Sequence, residues 1–256
     1  MTASAPPVML VAGGSGSIGS AIAEHAAGSG WAVALHGRSL STVAAAAERV
    51  KSTRDAAPVV KGFAADIAQA GALERLVADV DAWRGRIDAV VDCVATGPKL
   101  PLTGEFAATD PEGYAALLDL SVGHLQRLAR ASLPRLQRQG GTLIAFASDA
   151  GRFAAPRQAV IGASRAAIMG FVRNLATEVA RDGVRVHCVS PGFVDRTESA
   201  RRLATQNAER VDSARRRAGL GLPTPEDIAP LVLFLCGDGA RRITGQVISV
   251  NGGMNA

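Results

Sequence analysis

Seven short runs in which nearly every position is apolar recur along the chain: VMLVAG (8–13), AVALHG (32–37), VVKGFAAD (59–66), IDAVVDCVA (87–95), GTLIAFAS (141–148), GVRVHCVS (183–190) and GQVISVNGG (245–253). A strand with one face in water alternates apolar and polar residues, whereas a strand covered on both faces is apolar almost throughout. The stretches between the runs begin as helices do. Asp110 stands as a cap ahead of Pro111, and Thr224-Pro225-Glu226-Asp227 offers a cap, a proline at the first helical position and acids in the first turn. Covered strands alternating with helices predict an α/β fold: a doubly wound parallel sheet of seven strands with helices on both faces. No repeat, low-complexity stretch or linker divides it, so we read 1–256 as one domain with a flexible start at 1–7.

Composition narrows the class further. A chain of 256 residues with 48% hydrophobic content buries a full core. MTASAPP is too short and polar for a signal peptide and no apolar run reaches membrane-spanning length, which predicts a cytoplasmic protein without a membrane role. Cys93, Cys188 and Cys236 show no CxxC spacing and read as reduced core residues. The histidines His25, His36, His124 and His187 fall in no metal-ligand spacing, so no metal is expected. Most of the +5 net charge comes from one segment, where seven arginines between Arg196 and Arg217 face only Glu198, Glu209 and Asp212. Without interleaved aromatic residues this is no nucleic-acid surface; it reads as a solvated helix face or as a grip for an acidic ligand.

The first strand runs into GGSGSIGSAIAEHAAGSG, in which Gly14, Gly16 and Gly19 fit G-x-G-x-x-G between a strand and a helix. Glycines there let backbone N–H groups approach a pyrophosphate at the helix start. The nucleotide-binding candidates in this turn are Gly13, Ser15, Gly16, Ser17, Ile18 and Gly19. A hydrolase elbow fails, because Ser15 is followed two places on by Ser17 and not by glycine. After the second strand no acid stands ready for an NAD ribose; the chain reads His36-Gly37-Arg38, and Arg38 suits the 2′-phosphate of NADP better than it suits NAD.

The glycine turn, Asp66 with Ile67 after the third strand, SDAG at 148–151, Pro191-Gly192 with Val194 after the sixth strand, and the closing ITGQVISVNGGM together resemble the short-chain dehydrogenase/reductase family over nearly the whole chain. The resemblance implies a Rossmann-type fold, an NADP or NAD cofactor held in part by Asp66, Ile67, Pro191, Gly192 and Val194, and a mobile substrate segment over 193–222. It also implies a catalytic serine, a tyrosine thirteen residues later, a lysine four beyond, and an upstream asparagine. Here the serine position is Ser148, the tyrosine position Ile161, the lysine position Arg165 and the asparagine position Ser121. The family's Asn-Asn-Ala-Gly is replaced by Asp92-Cys93-Val94-Ala95, which puts the usual support of the central helix in question. Arg196 stands where a threonine contacts the carboxamide, with Thr197 one place late.

An aliphatic side chain moves no proton, and a guanidinium stays protonated. His124, one helical turn after Ser121, and Asp149 are the nearby substitutes, while the single tyrosine, Tyr114, is read as structural. Three functions follow. The first is a catalytically impaired subunit supporting an active homologue in a hetero-oligomer, similar in its losses to the inactive partner of a hydroxybenzylsuccinyl-CoA dehydrogenase and acting on a hydroxyacyl or ketoacyl substrate such as an acyl-CoA. The second is an active NADP-dependent oxidoreductase with another proton donor, assembled as a homodimer or homotetramer. The third is a non-redox enzyme that binds and polarises through Ser148 and Arg165. The resemblance places assembly on two long helices, about 111–138 and 155–180.

Overall fold

The computed structural model describes residues 5–52, 58–94 and 102–255. Each apolar run becomes a strand: β1 Val8–Ala12, β2 Ala32–Gly37, β3 Val60–Ala64, β4 Ala89–Asp92, β5 Thr142–Phe146, β6 Arg185–Pro191 and β7 Val247–Val250. They form one sheet in the order β3-β2-β1-β4-β5-β6-β7, and every neighbouring pair is parallel. Residues 1–4, where the flexible start was expected, and Ala95 lie outside the described residues.

Covered strands need helices on both faces, and alternate residues of β1 show how the chain supplies them. Val8, Leu10 and Ala12 face a core built by α3 (Ala72–Arg84), α5 (His124–Gln139) and α6 (Ala159–Val179). Met9 and Val11 face the opposite core, formed with α1 (Ser17–Gly28), α2 (Leu40–Ser52) and α9 (Pro225–Cys236). The cap read at Thr224 is present as a capping box with Asp227. Arg185 at the start of β6 donates to the Leu235, Cys236 and Ala240 carbonyls, which ties the sheet to the negative end of α9.

Two helix boundaries differ from the expectation. The stretch from residue 112 is α4 (Glu112–Leu118), a π-helical turn over Asp119–Gly123, and then α5, so one extra residue is accommodated just where Ser121 stands. The second long helix starts at Ala159 and not near 155, because Arg157 takes a left-handed backbone conformation (φ 64°) that a helix cannot contain. The arginine-rich segment folds as two short helices, α7 (Glu198–Gln206) and α8 (Ala208–Arg217).

Candidate active site

Parallel strand order reverses between β1 and β4, and a cleft opens at their carboxyl ends. The glycine turn occupies this point. Gly13 has φ 73°, and a Cβ there would lie 2.8 Å from the Cys93 carbonyl carbon and oxygen; a Cβ on Gly19 would lie 2.6 Å from the Gly13 oxygen. The turn can close only without side chains. Helix α1 begins at Ser17 with no side-chain cap and no acid in its first turn, so its first N–H groups and the positive end of its dipole face the cleft. The backbone thus fits a dinucleotide pyrophosphate.

His36 supports the turn in a way the sequence reading missed. Its Nε2 lies 2.9 Å from the Ala65 carbonyl and its Nδ1 accepts a long bond of 3.4 Å from the Gly13 N–H. Burial lowers its pKa, against the opposing Ala65 carbonyl and Asp92 charge, and so keeps the neutral ring this arrangement requires. Gly37 brings the end of β2 against Ser15, where a Cβ would sit 3.2 Å from the Ser15 Oγ. Arg38 and Asp66 are exposed after the ends of β2 and β3, and Ile67 is buried in the core.

The cleft continues into a cavity of about 810 Å3. Of the residues expected at the site, Ser148, Arg165, Ile18, Pro191, Gly192 and Val194 line it; Ile161 and Ser121 do not, nor do Gly13, Ser15, Gly16, Ser17, Gly19, Arg38, Asp66 and Ile67 of the expected nucleotide set. Ser148 closes β5 and its Oγ accepts the Ala150 N–H at 3.4 Å. The turn after it packs directly on α6: a Cβ on Gly151 would meet the Arg165 carbonyl carbon and the Ala166 nitrogen at 2.6 Å, and one on Gly162 would meet the Ala150 oxygen at 2.6 Å. This seats Arg165 beside the serine turn. Burial lowers the Arg165 pKa while the Asp92 charge works against that, and a guanidinium so placed keeps its proton.

Ser121 is 1% exposed with its hydroxyl inside the π turn and without a hydrogen-bond partner among the described residues. His124, considered as a substitute proton donor, is 2% exposed and does not reach the cavity. Its Nε2–H donates instead to the Asp92 carboxylate at 2.9 Å. The support of the central helix that the Asp92-Cys93-Val94 stretch put in question is supplied by Asp92, which holds the Val94 N–H at 3.3 Å with one oxygen and α5, through His124, with the other.

Asp149, considered as a substitute proton donor, is engaged by three donors. It is 3% exposed and accepts from Ser190 Oγ (3.0 Å), Ser249 Oγ (2.7 Å) and Asn251 Nδ2 (2.5 Å), knotting the serine turn to the ends of β6 and β7. Thr197 caps α7 by accepting the Ala200 N–H at 3.1 Å, and Arg196 before it takes φ 57°. Tyr114 stacks on Phe106 and bonds Thr109 at 2.7 Å, away from the cavity. Cys188 and Cys236 are buried core thiols; Cys93 departs from that reading because it lines the cavity, where burial and the neighbouring Asp92 push its pKa up and keep it protonated. Among the described residues no group of His, Cys, Asp and Glu could hold a metal ion.

Comparisons with known proteins agree with this architecture. The family model for enoyl-(acyl carrier protein) reductase matches residues 12–255. The chain is 32% identical over 252 residues to the short-chain reductase protein NovJ of Streptomyces niveus, covering 96% of this chain and 93% of that protein. It is 31% identical over 256 residues to 2-(S)-hydroxypropyl-CoM dehydrogenase 3 of Xanthobacter autotrophicus, covering 97% and 96%. A short-chain type dehydrogenase/reductase from Mycobacterium ulcerans superposes with a TM-score of 0.89 at 26% identity, covering 97% of this chain and 89% of that one. With the seven-stranded parallel sheet and the glycine turn at its switch point, these matches show that the chain belongs to the short-chain dehydrogenase/reductase family of NAD(P)-dependent oxidoreductases.

Proposed function

We propose that this chain binds a nicotinamide dinucleotide, NADP in preference to NAD, and is catalytically impaired by itself, serving beside an active homologue in a hydroxyacyl or ketoacyl oxidoreduction. The observation that carries the reading is the side chain at position 161. Aligned by spacing from Ser148, the position that would present a phenol presents isoleucine, and Ile161 does not line the cavity. The chain's one tyrosine and four histidines all stand elsewhere than on the cavity wall.

Bound nicotinamide supplies the hydride acceptor or donor; everything else falls to the protein. The uncapped start of α1 and the bare glycine turn would hold phosphate, and Arg38, exposed at the end of β2, would offer a cation to a 2′-phosphate. Ser148 orients a carbonyl or hydroxyl oxygen at the cavity floor, and Arg165 sets a positive field beside it. Among the described residues no tyrosine or histidine lines the cavity to pass the hydroxyl proton. A positioned general acid or base contributes roughly 10²- to 10⁴-fold, so hydride transfer by the lone chain falls by at least that range.

The test is a titration of the purified chain with NADPH and NADH, followed by turnover of hydroxyacyl and ketoacyl substrates and by recovery of the chain from its native extract. Expected are tighter binding of NADPH, no turnover alone, and recovery at equal stoichiometry with a tyrosine-containing homologue. A homotetramer that turns over unaided overturns the reading. Ile161→Tyr combined with Arg165→Lys is expected to raise any residual rate.

A further inference from the structure

Of the six arginines on the two helices that cover the cavity, two line it, two pair with acids on their own helix, and Arg201 and Arg216 do neither among the described residues. Arg202 on α7 pairs with Glu198, and Arg215 on α8 pairs with Asp212 at 3.4 Å; neither lines the cavity. Arg210, Ser213, Ala214 and Arg217 do line it. Their spacing of i, i+3, i+4 and i+7 places them on one face of α8. Among the described residues the side chains of Arg210 and Arg217 form no ion pair, although Glu209 also reaches the cavity.

A third guanidinium comes from a different element of the same cavity wall. Arg157 lines the cavity from the loop before α6, held at φ 64° with its carbonyl accepting the Gly104 N–H at 2.9 Å. A left-handed conformation in a residue other than glycine costs of order 1 kcal/mol or more and persists where the surroundings impose it. Arg157 likewise forms no ion pair among the described residues. The other cavity acid, Asp149, already accepts three hydrogen bonds. The cavity wall therefore gathers positive charge that the protein leaves unneutralised, next to an apolar surface that includes Val94, Phe146, Leu203 and Met254.

We propose that this cavity selects an organic anion, with an apolar body lying toward Val94, Phe146, Leu203 and Met254 and a carboxylate or phosphate group held between Arg157 and the Arg210–Arg217 face of α8. The planar forks of arginine match such oxyanions in two-point hydrogen bonds. This deepens the functional proposal, since it rests on the cavity being the substrate cleft of the family; it is independent of whether the lone chain turns over.

Calorimetric titration with octanoate, octyl phosphate, 1-octanol and octanoyl-CoA tests it, with NADPH binding measured in parallel. The charged ligands are expected to bind at least tenfold more tightly than 1-octanol, with affinity falling as salt rises. Arg210→Gln with Arg217→Gln should remove at least tenfold of that affinity, and Arg157→Gln should weaken it independently. Arg202→Gln with Arg215→Gln, on the outer face, should leave it unchanged. Response to octanoate and octyl phosphate identifies a free acid as the ligand; the same arginine-dependent response to octanoyl-CoA alone identifies the coenzyme A phosphates as the source of the anion. Equal binding of octanoate, octyl phosphate, octanoyl-CoA and 1-octanol, or undiminished anion binding in the Arg210 and Arg217 variant, overturns the proposal. Loss of NADPH binding with arginine-dependent anion binding intact would overturn the nucleotide reading and leave this one standing.

Discussion

The Asp92 carboxylate and the His124 imidazole meet at 2.9 Å, with their side chains 5% and 3% exposed, and join the end of β4 to the start of α5. Burial disfavours a charged imidazole, but the Asp92 charge and hydrogen bond outweigh it, so the His124 pKa is raised. Removing either partner leaves the other buried alone, a change that costs about 3–5 kcal/mol. We expect Asp92→Ala to cost more than His124→Leu, because Asp92 also opposes the buried charge of Arg165. Denaturant unfolding of both single variants and the double variant checks this, and the double variant should cost less than the sum. Because the folded pKa lies above the unfolded value of 6.5, the stabilisation is complete below pH 6.5 and is lost as pH rises through the raised pKa.

His187 titrates with the opposite sign. It is fully buried in β6, and burial together with the neighbouring Arg185 pushes its pKa down to about 4. The unfolded chain takes up this proton near pH 6.5 and the folded chain only near 4, so its contribution to stability is complete above 6.5 and lost as pH falls between those values. Melting temperatures recorded from pH 7 to pH 4 should fall less steeply in His187→Leu than in the parent. An unchanged slope would show that other groups control acid unfolding.

Glycines at two places should respond oppositely to alanine. A Cβ on Gly19 would lie 2.6 Å from the Gly13 oxygen and 2.8 Å from the Gly14 Cα, so Gly19→Ala forces the nucleotide turn open. We expect at least a tenfold loss of NADPH affinity. Gly170, inside α6, has nothing within 4 Å of its would-be Cβ, and Gly170→Ala should raise stability by about 0.5–1 kcal/mol with nucleotide affinity unchanged. Fluorescence titration and thermal melts on the two variants separate these effects.

Asp149 receives three donors that no amide could satisfy in the same geometry. Asp149→Asn is expected to destabilise the fold by about 2–4 kcal/mol, since Ser190 and Asn251 are themselves buried. Amide hydrogen exchange should locate the loosening at the ends of β6 and β7. Protection unchanged there would mean that the knot is redundant.

The pattern of apolar runs determined much of this protein. Burial on both faces of a strand leaves no alternation to write, so the seven strands, their parallel arrangement and the helices covering them were legible in the order of residues. The glycine turn was legible for a similar reason: only residues lacking a Cβ close it, and their spacing repeats the backbone geometry. That Ile161 stands thirteen residues after Ser148 needed only counting along the chain.

Tertiary structure decided what depends on residues distant in sequence. His36 and Ala65, Asp92 and His124, and Asp149 with Ser190, Ser249 and Asn251 become partners only when strand ends are brought side by side, and no local periodicity encodes such pairings. The placing of Arg210 and Arg217 has the same origin. Arg202 and Arg215 pair with acids one turn away on their own helices, a spacing visible in the sequence, but only the docking of α7 and α8 over the cleft sets Arg210 and Arg217 toward the cavity.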